Sequence, residues 1–227
     1  MSFSSERKCV LVAGGTGGIG GALCAVLSSN GYTPVVGYAQ SISKAEEIAR
    51  STSGIPLHCD LSSPASIDAV ISALNRLDGD LEGIIFASSL PPRLKKFELI
   101  DVDFLKLQLQ INTIGPSYLC AMAIRDIFSK RKKGFIVGLL SSAVEGKENI
   151  QPEFCEYSIA KFAMKGMLAQ IKSDYRWLKV LPYSPNYTDT QMLNAFDPRI
   201  VELLRVRNLI QSCSNVAVDI FRSISHE

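Results

Sequence analysis

The sequence predicts an α/β fold, a doubly wound parallel sheet of six or seven strands with helices on both faces. Three observations predict it. Short apolar runs alternate with amphipathic helical patterns throughout the 227 residues. A glycine-rich turn, Gly14 to Gly21, joins the first run to the first helix. The polar residues with chemical potential follow the ends of apolar runs. Strict alternation calls for parallel strands joined by crossover helices, with ligands gathered at the C-terminal strand ends.

Cys9 to Ala13 is an unbroken apolar run, the pattern of a strand buried on both faces. A helix follows the glycines, with Leu23, Val26 and Leu27 on one face. The second strand is Pro34 to Tyr38 and its helix spans Lys44 to Arg50. The third, Ile55 to Cys59, ends at Asp60-Leu61-Ser62, and Pro64 opens a helix reaching Leu77. The fourth, Gly83 to Ala87, ends in Ser88-Ser89. A long amphipathic stretch, Val102 to Phe128, carries Asn112 and is expected to bend or unwind at Gly115-Pro116. Lys130 to Lys133 reads as a solvated helix end. The fifth strand, Gly134 to Leu140, stops at Ser141-Ser142. A helix from about Pro152 to Tyr175 bears Tyr157 and Lys161. The sixth strand is Leu178 to Pro182, followed by a loop from Tyr183 to Thr190 and a terminal helix from Val216 to Ile224. No linker or repeat divides residues 1–227, which read as a single domain.

Composition narrows the function. Hydrophobic residues make up 47% and charged residues 20%, enough for a large core. A net charge of +2 gives no case for nucleic acid or an anionic membrane as partner. The six cysteines show no paired spacing and read as reduced thiols, with neither a disulfide framework nor a metal site. With no apolar run of membrane-spanning length and no targeting segment at Met1 to Lys8, the expectation is a cytoplasmic protein.

The glycine turn between strand and helix is a phosphate cradle: backbone approaches a pyrophosphate closely, and the helix N-terminus supplies free N–H groups and positive dipole. Tyr157 and Lys161 stand four positions apart on one helical face. An ammonium at roughly 4 Å, at an effective dielectric of about 20, favours a phenolate by up to about 4 kcal/mol. That corresponds to as much as about three pH units on a phenol whose reference pKa is about 10. A phenol so tuned exchanges a proton with a carbonyl or alcohol oxygen. Singly, each of these residues has an ordinary reading: a chance pair on a helix, a capping serine, a mid-helix asparagine.

Together they resemble the short-chain dehydrogenase/reductase family over nearly the whole chain. Gly14, Gly18 and Gly20 fit its Gly-x-x-x-Gly-x-Gly loop, Asp60 its adenine-contacting acid, and Asn112, Ser142, Tyr157 and Lys161 its catalytic tetrad. Pro185 to Thr190 is similar to its Pro-Gly-x-x-x-Thr segment against the nicotinamide, with Asn186 in place of glycine. The resemblance implies a Rossmann-like fold and hydride transfer between a nicotinamide and a carbonyl or alcohol carbon of a small molecule, running as a ketone reductase. It implies Tyr157 as acid/base, Lys161 on the nicotinamide ribose and lowering the tyrosine pKa, Ser142 on the carbonyl oxygen, and Asn112 anchoring a relay water. Cofactor contacts are then expected from Gly14, Thr16, Gly17, Gly18, Ile19, Gly20, Tyr38, Ser41, Lys44, Asp60, Leu61, Ala87, Ser88, Asn112, Tyr157, Lys161, Pro185, Tyr187, Thr188 and Thr190.

Departures from the family pattern are specific. Phe86-Ala87-Ser88-Ser89 replaces Asn-Asn-Ala-Gly. Ser142 lies 15 positions before Tyr157, which implies an insertion around Lys147 to Gln151 and leaves Ser141 as an alternative. The usual final strand is missing after the last helix, which puts a tetramer built on that strand in doubt. A cofactor-binding regulatory or structural subunit of the same fold is the rival reading. A nucleotide-sugar epimerase would need a larger substrate domain than the 37 residues after Thr190. The substrate segment is Gln191 to Ile210, with Met192, Leu193, Phe196, Leu203 and Leu204 as apolar candidates. A homodimer is expected through the Val102–Phe128 and Pro152–Tyr175 helices. After the second strand no carboxylate precedes Glu46, while Ser41, Ser43 and Lys44 suit a 2′-phosphate, so NADP(H) is favoured over NAD(H).

Overall fold

The structure is a computed structural model that describes residues 7–144 and 151–225. Six strands run through it: β1 (Lys8–Ala13), β2 (Tyr32–Tyr38), β3 (Ile55–His58), β4 (Asp80–Phe86), β5 (Phe135–Leu139) and β6 (Lys179–Tyr183). They form one parallel sheet in the order β3-β2-β1-β4-β5-β6. Strand order therefore reverses between β1 and β4, and a crevice opens at that point beyond the strand ends. The sheet has the lower of the two expected strand counts among the described residues. The expected insertion at Lys147 to Gln151 lies, apart from Gln151, outside the described residues.

Nine helices cover the faces: α1 (Gly18–Ser29), α2 (Ile42–Thr52), α3 (Pro64–Leu74), α4 (Val102–Leu109), α5 (Gly115–Ala123), α6 (Ser129–Arg131), α7 (Cys155–Asp174), α8 (Pro198–Val206) and α9 (Cys213–Ser225) among the described residues. Side chains alternate along each strand, so one apolar run feeds two cores. Leu11, Ile84 and Ile136 meet Leu119, Phe128 and Met164 on one face. Val12, Ile85 and Val137 meet Leu23, Leu27 and Ile220 on the other.

Local chemistry sets the helix starts. Ser63 accepts from Ser66 N–H ahead of Pro64, and Asp101 accepts from the N–H groups of Asp103 and Phe104. Asp197 likewise caps α8 ahead of Pro198. The stretch from 102 to 131 is one continuous helical run that unwinds locally, as expected, next to Gly115-Pro116. It widens into π turns at Gln110–Ile114 and Ile124–Phe128, on either side of α5. The first has a cause in sequence. Pro116 lacks the N–H that an α-helix would aim at the Asn112 carbonyl, and Gly115 N–H bonds Gln110 O, five residues back.

The basic run after this rod is not merely solvated. Arg131 pairs with Asp80 at 2.8 Å and with Glu82, and Lys133 reaches Glu82 at 3.0 Å. These contacts tie the helix end to the start of β4. Burial pushes the Glu82 carboxyl up, but the two cations outweigh it and hold the group below its ordinary value.

Candidate active site

The glycine loop is shaped by what a side chain would strike. Gly14 has φ +83°, and a Cβ there would lie 2.6 Å from Ser88 N. At Gly20 a Cβ would lie 2.1 Å from Gly14 O, so the loop closes only with glycine at that position. Gly17 precedes α1 with no side-chain cap, and the first turn of α1 holds no acid. Twelve residues of α1 thus direct uncapped N–H groups and dipole at the crevice. Behind the loop, Ala87 N–H bonds Ala13 O at 2.8 Å, and the buried Ser88 Oγ has no partner among the described residues.

Tyr157 and Lys161 share the buried side of α7. The tyrosine is 7% exposed and the lysine 2%. Burial pushes the Tyr157 phenol up to about 12, and only the hydrogen bond with Ser141 works against it. Burial also pushes the Lys161 ammonium down to about 7. Its Nζ lies 5.5 Å from the Tyr157 ring centre and donates to Leu139 O at 2.8 Å. Burial, rather than the lysine, therefore dominates the phenol. Desolvation penalises the charged form of each group and exceeds their mutual attraction.

The two serines divide. Ser141 hydrogen-bonds the phenol, while Ser142 opens the short turn Ser142–Val144 and its N–H bonds Pro185 O at 3.1 Å. Asn112 lies in the first π turn and is 1% exposed. Its Nδ2 donates to the backbone and side-chain oxygens of Gln108, both at 2.9 Å, and its Oδ1 is buried without a partner among the described residues. Gln108, which the sequence reading missed, is fully buried and reaches the Leu90 and Pro91 carbonyls.

A cavity of about 210 Å³ unites much of this chemistry. Ile19, Ser141, Ser142, Tyr157, Pro185, Asn186, Tyr187, Thr188 and Thr190 line it. Met192, Leu193 and Phe196 do too, whereas Leu203 and Leu204 do not: they sit on α8, which buries no residue, and Leu203 is exposed. Phe154, Pro92 and Gln151 also line it and escaped the sequence reading, since no periodicity marks the loops that carry them. Thr190 closes the rim, with its Cγ2 3.0 Å from where a Gly18 Cβ would stand.

The remaining expected contacts lie outside the cavity. Tyr38 packs edge-to-face on His58 at 5.6 Å. Asp60 Oδ1 accepts from Ser62 N–H and Oγ, and Asp60 N–H bonds Ser66 Oγ. Leu61 buries its side chain in the core, and its carbonyl accepts from Gln110. Gly115 presses against the same carbonyl, 2.0 Å from where its Cβ would be. Ser41 and Lys44 are exposed at the start of α2, and Thr16 and Gly17 stay in the glycine loop.

Comparison with known proteins agrees with this architecture. The family model described as short chain dehydrogenase matches residues 8–200. Chanoclavine-I dehydrogenase easD of Claviceps purpurea (strain 20.1) is 26% identical over 223 residues, covering 91% of this chain and 84% of that protein. The uncharacterized oxidoreductase YmfI of Bacillus subtilis (strain 168) is 28% identical over 205 residues, covering 85% and 79%. Among solved structures, a 3-ketoacyl-(acyl-carrier-protein) reductase from Brucella melitensis, complexed with NADH, superposes with a TM-score of 0.84 at 17% identity, covering 96% of this chain and 90% of that one. The chain belongs to the short-chain dehydrogenase/reductase family of oxidoreductases.

Proposed function

We propose that the protein interconverts a carbonyl and an alcohol on a small molecule, working as a ketone reductase with a nicotinamide dinucleotide. One observation carries this reading. The hydroxyls of Ser141, Ser142 and Tyr157 meet on a single cavity whose rim is formed by Ile19 of the glycine loop and by Thr190.

The chain's own residues fit the cofactor. The glycine loop and α1 would hold the pyrophosphate, Tyr38, Asp60 and Leu61 the adenosine end, and Ala87 and Ser88 the middle, where the buried Ser88 hydroxyl has no partner among the described residues. Pro185, Tyr187, Thr188 and Thr190 would flank the nicotinamide, and Lys161 its ribose. When bound, the nicotinamide supplies the hydride. Tyr157 donates its phenolic proton to the carbonyl oxygen, and a phenol near 12 is protonated at neutral pH, the form that reduction requires. Ser142 hydrogen-bonds the same oxygen, and Ser141 orients the phenol. The unsatisfied Asn112 Oδ1 suits a water leading towards Lys161.

The start of α2, with no acid in its first turn and with Ser41 and Lys44 exposed, supports NADP(H) over NAD(H). Exposed Leu107, Ile114 and Tyr118 on the long rod, with Ile159 and Phe162 on α7, support a homodimer through these helices. Light scattering that shows a monomer at every concentration would refute the dimer. Six free cysteines fit a reducing compartment, the cytoplasm. Screening carbonyl compounds with NADPH and NADH at the nicotinamide absorbance, with Tyr157→Phe as control, tests the activity. A set of substrates turned over equally by that variant would remove the assignment.

A further inference from the structure

Four rings form one continuous wall of the cavity. Tyr157 and Phe154 centroids lie 6.0 Å apart at 73°, Phe154 and Phe196 5.7 Å apart at 49°, and Phe196 and Tyr187 5.7 Å apart at 77°. The wall begins at the phenol that handles the proton and ends beyond β6. Two of the three contacts are edge to face and the middle one is tilted, so the wall exposes both positive ring edges and negative ring faces, and a further flat ring continues the pattern favourably.

The wall is held before any ligand arrives. Phe154 is buried and pairs with Lys95 in an isolated backbone bridge, and Lys95 N–H bonds Glu153 O at 3.0 Å. Tyr187 O accepts from Gln211 N–H at 2.7 Å, and Phe196 N–H bonds Leu193 O at 3.1 Å. A surface fixed in this way costs a ligand little ordering entropy. The sulfur of Met192 adds a soft neighbour for a ring. Among the described lining residues none carries a charge at neutral pH, so they offer an entering carboxylate or phosphate no counter-charge for its lost hydration.

Resting on the reductase reading of this site, we propose that the substrate is an uncharged carbonyl compound whose C=O is attached to a flat unsaturated ring, an aryl ketone, and that Phe196 sets the preference. In the reaction the C=O π bond is lost, and a C–H and an O–H bond form. Reduced nicotinamide dinucleotide is oxidised, the proton comes from Tyr157, and the ring is unchanged.

Three ketones matched in size test this on the full chain: acetophenone, cyclohexyl methyl ketone and phenylglyoxylate. Acetophenone is expected to lead cyclohexyl methyl ketone by about tenfold in kcat/KM, the scale of one or two aromatic contacts, and to lead phenylglyoxylate by more. Phe196→Leu is expected to collapse the aryl-over-cyclohexyl ratio towards one, acting through KM, while Phe196→Tyr preserves it. An equal ratio in the unmutated chain, a ratio unmoved by Phe196→Leu, or a lead for phenylglyoxylate would overturn the proposal. Calorimetry with anisole and methoxycyclohexane, neither of them reducible nor a nicotinamide mimic, separates the two readings. Tighter anisole binding that depends on Phe196, without turnover of any ketone, would keep the ring wall and sink the reductase. Turnover without a ring preference in either experiment would do the reverse, and a chain with neither property refutes both.

Discussion

Lys161 Nζ stands 5.5 Å from the centre of the Tyr157 ring, yet its hydrogen bond, at 2.8 Å, goes to the carbonyl of Leu139. Both groups are buried in the same helix face, and desolvation works against the charged form of each. The lysine is therefore costly to the fold at neutral pH.

The sign of that cost is testable. The lysine falls from 10.5 to about 7, so the unfolded chain holds this proton more tightly than the folded one. Stability from this group therefore improves as pH rises from about 7 to 10.5, and the penalty is complete below 7. The gap corresponds to at most about 5 kcal/mol. Lys161→Met is expected to raise Tm at pH 6.5, with a gain that shrinks towards pH 10, while activity is lost. A lower Tm for the variant at pH 6.5 would contradict the cost argued here.

Tyr157→Phe removes one hydroxyl and keeps the ring packed on Phe154. Cofactor affinity should survive, and turnover should fall by about 10²–10⁴. Paired cofactor titrations and initial rates decide the point, and wild-type rates would refute the acid/base role.

The serines should separate by pH profile. Ser141 lowers the Tyr157 pKa through its hydrogen bond, so Ser141→Ala should move the base limb of alcohol oxidation to higher pH. Ser142→Ala should instead lower kcat/KM at every pH, by about 10²-fold, as loss of an oxyanion donor does. An unmoved limb in the Ser141 variant would return both roles to Ser142.

The parallel doubly wound sheet, the glycine turn between strand and helix and the shared Tyr157–Lys161 face were legible because period and spacing encode them locally. Runs such as Cys9–Ala13 state their own burial, and α/β alternation states the topology. Which of Ser141 and Ser142 bonds the phenol was not legible, because it depends on how β5 ends against Pro185 across the sheet. Helix α8 left a signal, Asp197-Pro198, which is a cap followed by a first-turn proline, but its exposed face gave no core periodicity. The aromatic wall comes from two separate segments, Phe154 to Tyr157 and Tyr187 to Phe196, and the desolvation of the Tyr157–Lys161 pair was not legible because spacing reports proximity and not burial.

Glu156, beside Tyr157, is 1% exposed and accepts from Asp101 N–H at 3.0 Å, with Lys95 Nζ 3.4 Å away. Burial pushes this carboxyl up, but the hydrogen bonds and Lys95 outweigh it and the group lies below its ordinary 4.5. A depressed carboxyl stabilises above that value and loses its contribution as pH falls through the folded pKa. Glu156→Gln should cost about 1–3 kcal/mol at pH 7 in urea unfolding. The two proteins should converge in acid, and a constant difference down to pH 3 would deny the carboxylate its role.

Cofactor preference turns on the few residues after β2. A carboxylate there would bond a ribose hydroxyl and repel a 2′-phosphate. The described structure puts Ser41 immediately before α2, with no acid in the helix's first turn and Lys44 exposed within it. An N-terminus without a carboxylate favours an anion, and a lysine's attraction to a dianion far exceeds its attraction to a hydroxyl. Lys44 is solvated, so its contribution is limited by screening. Lys44→Ala should weaken NADPH binding by about three- to tenfold in low salt and less at high salt, leaving NADH binding nearly unchanged. Ala39→Asp should reverse the preference outright by restoring the repulsive element. Fluorescence titration of both reduced cofactors into the three proteins measures this, and tighter NADH binding by the unmutated chain would refute the phosphate site.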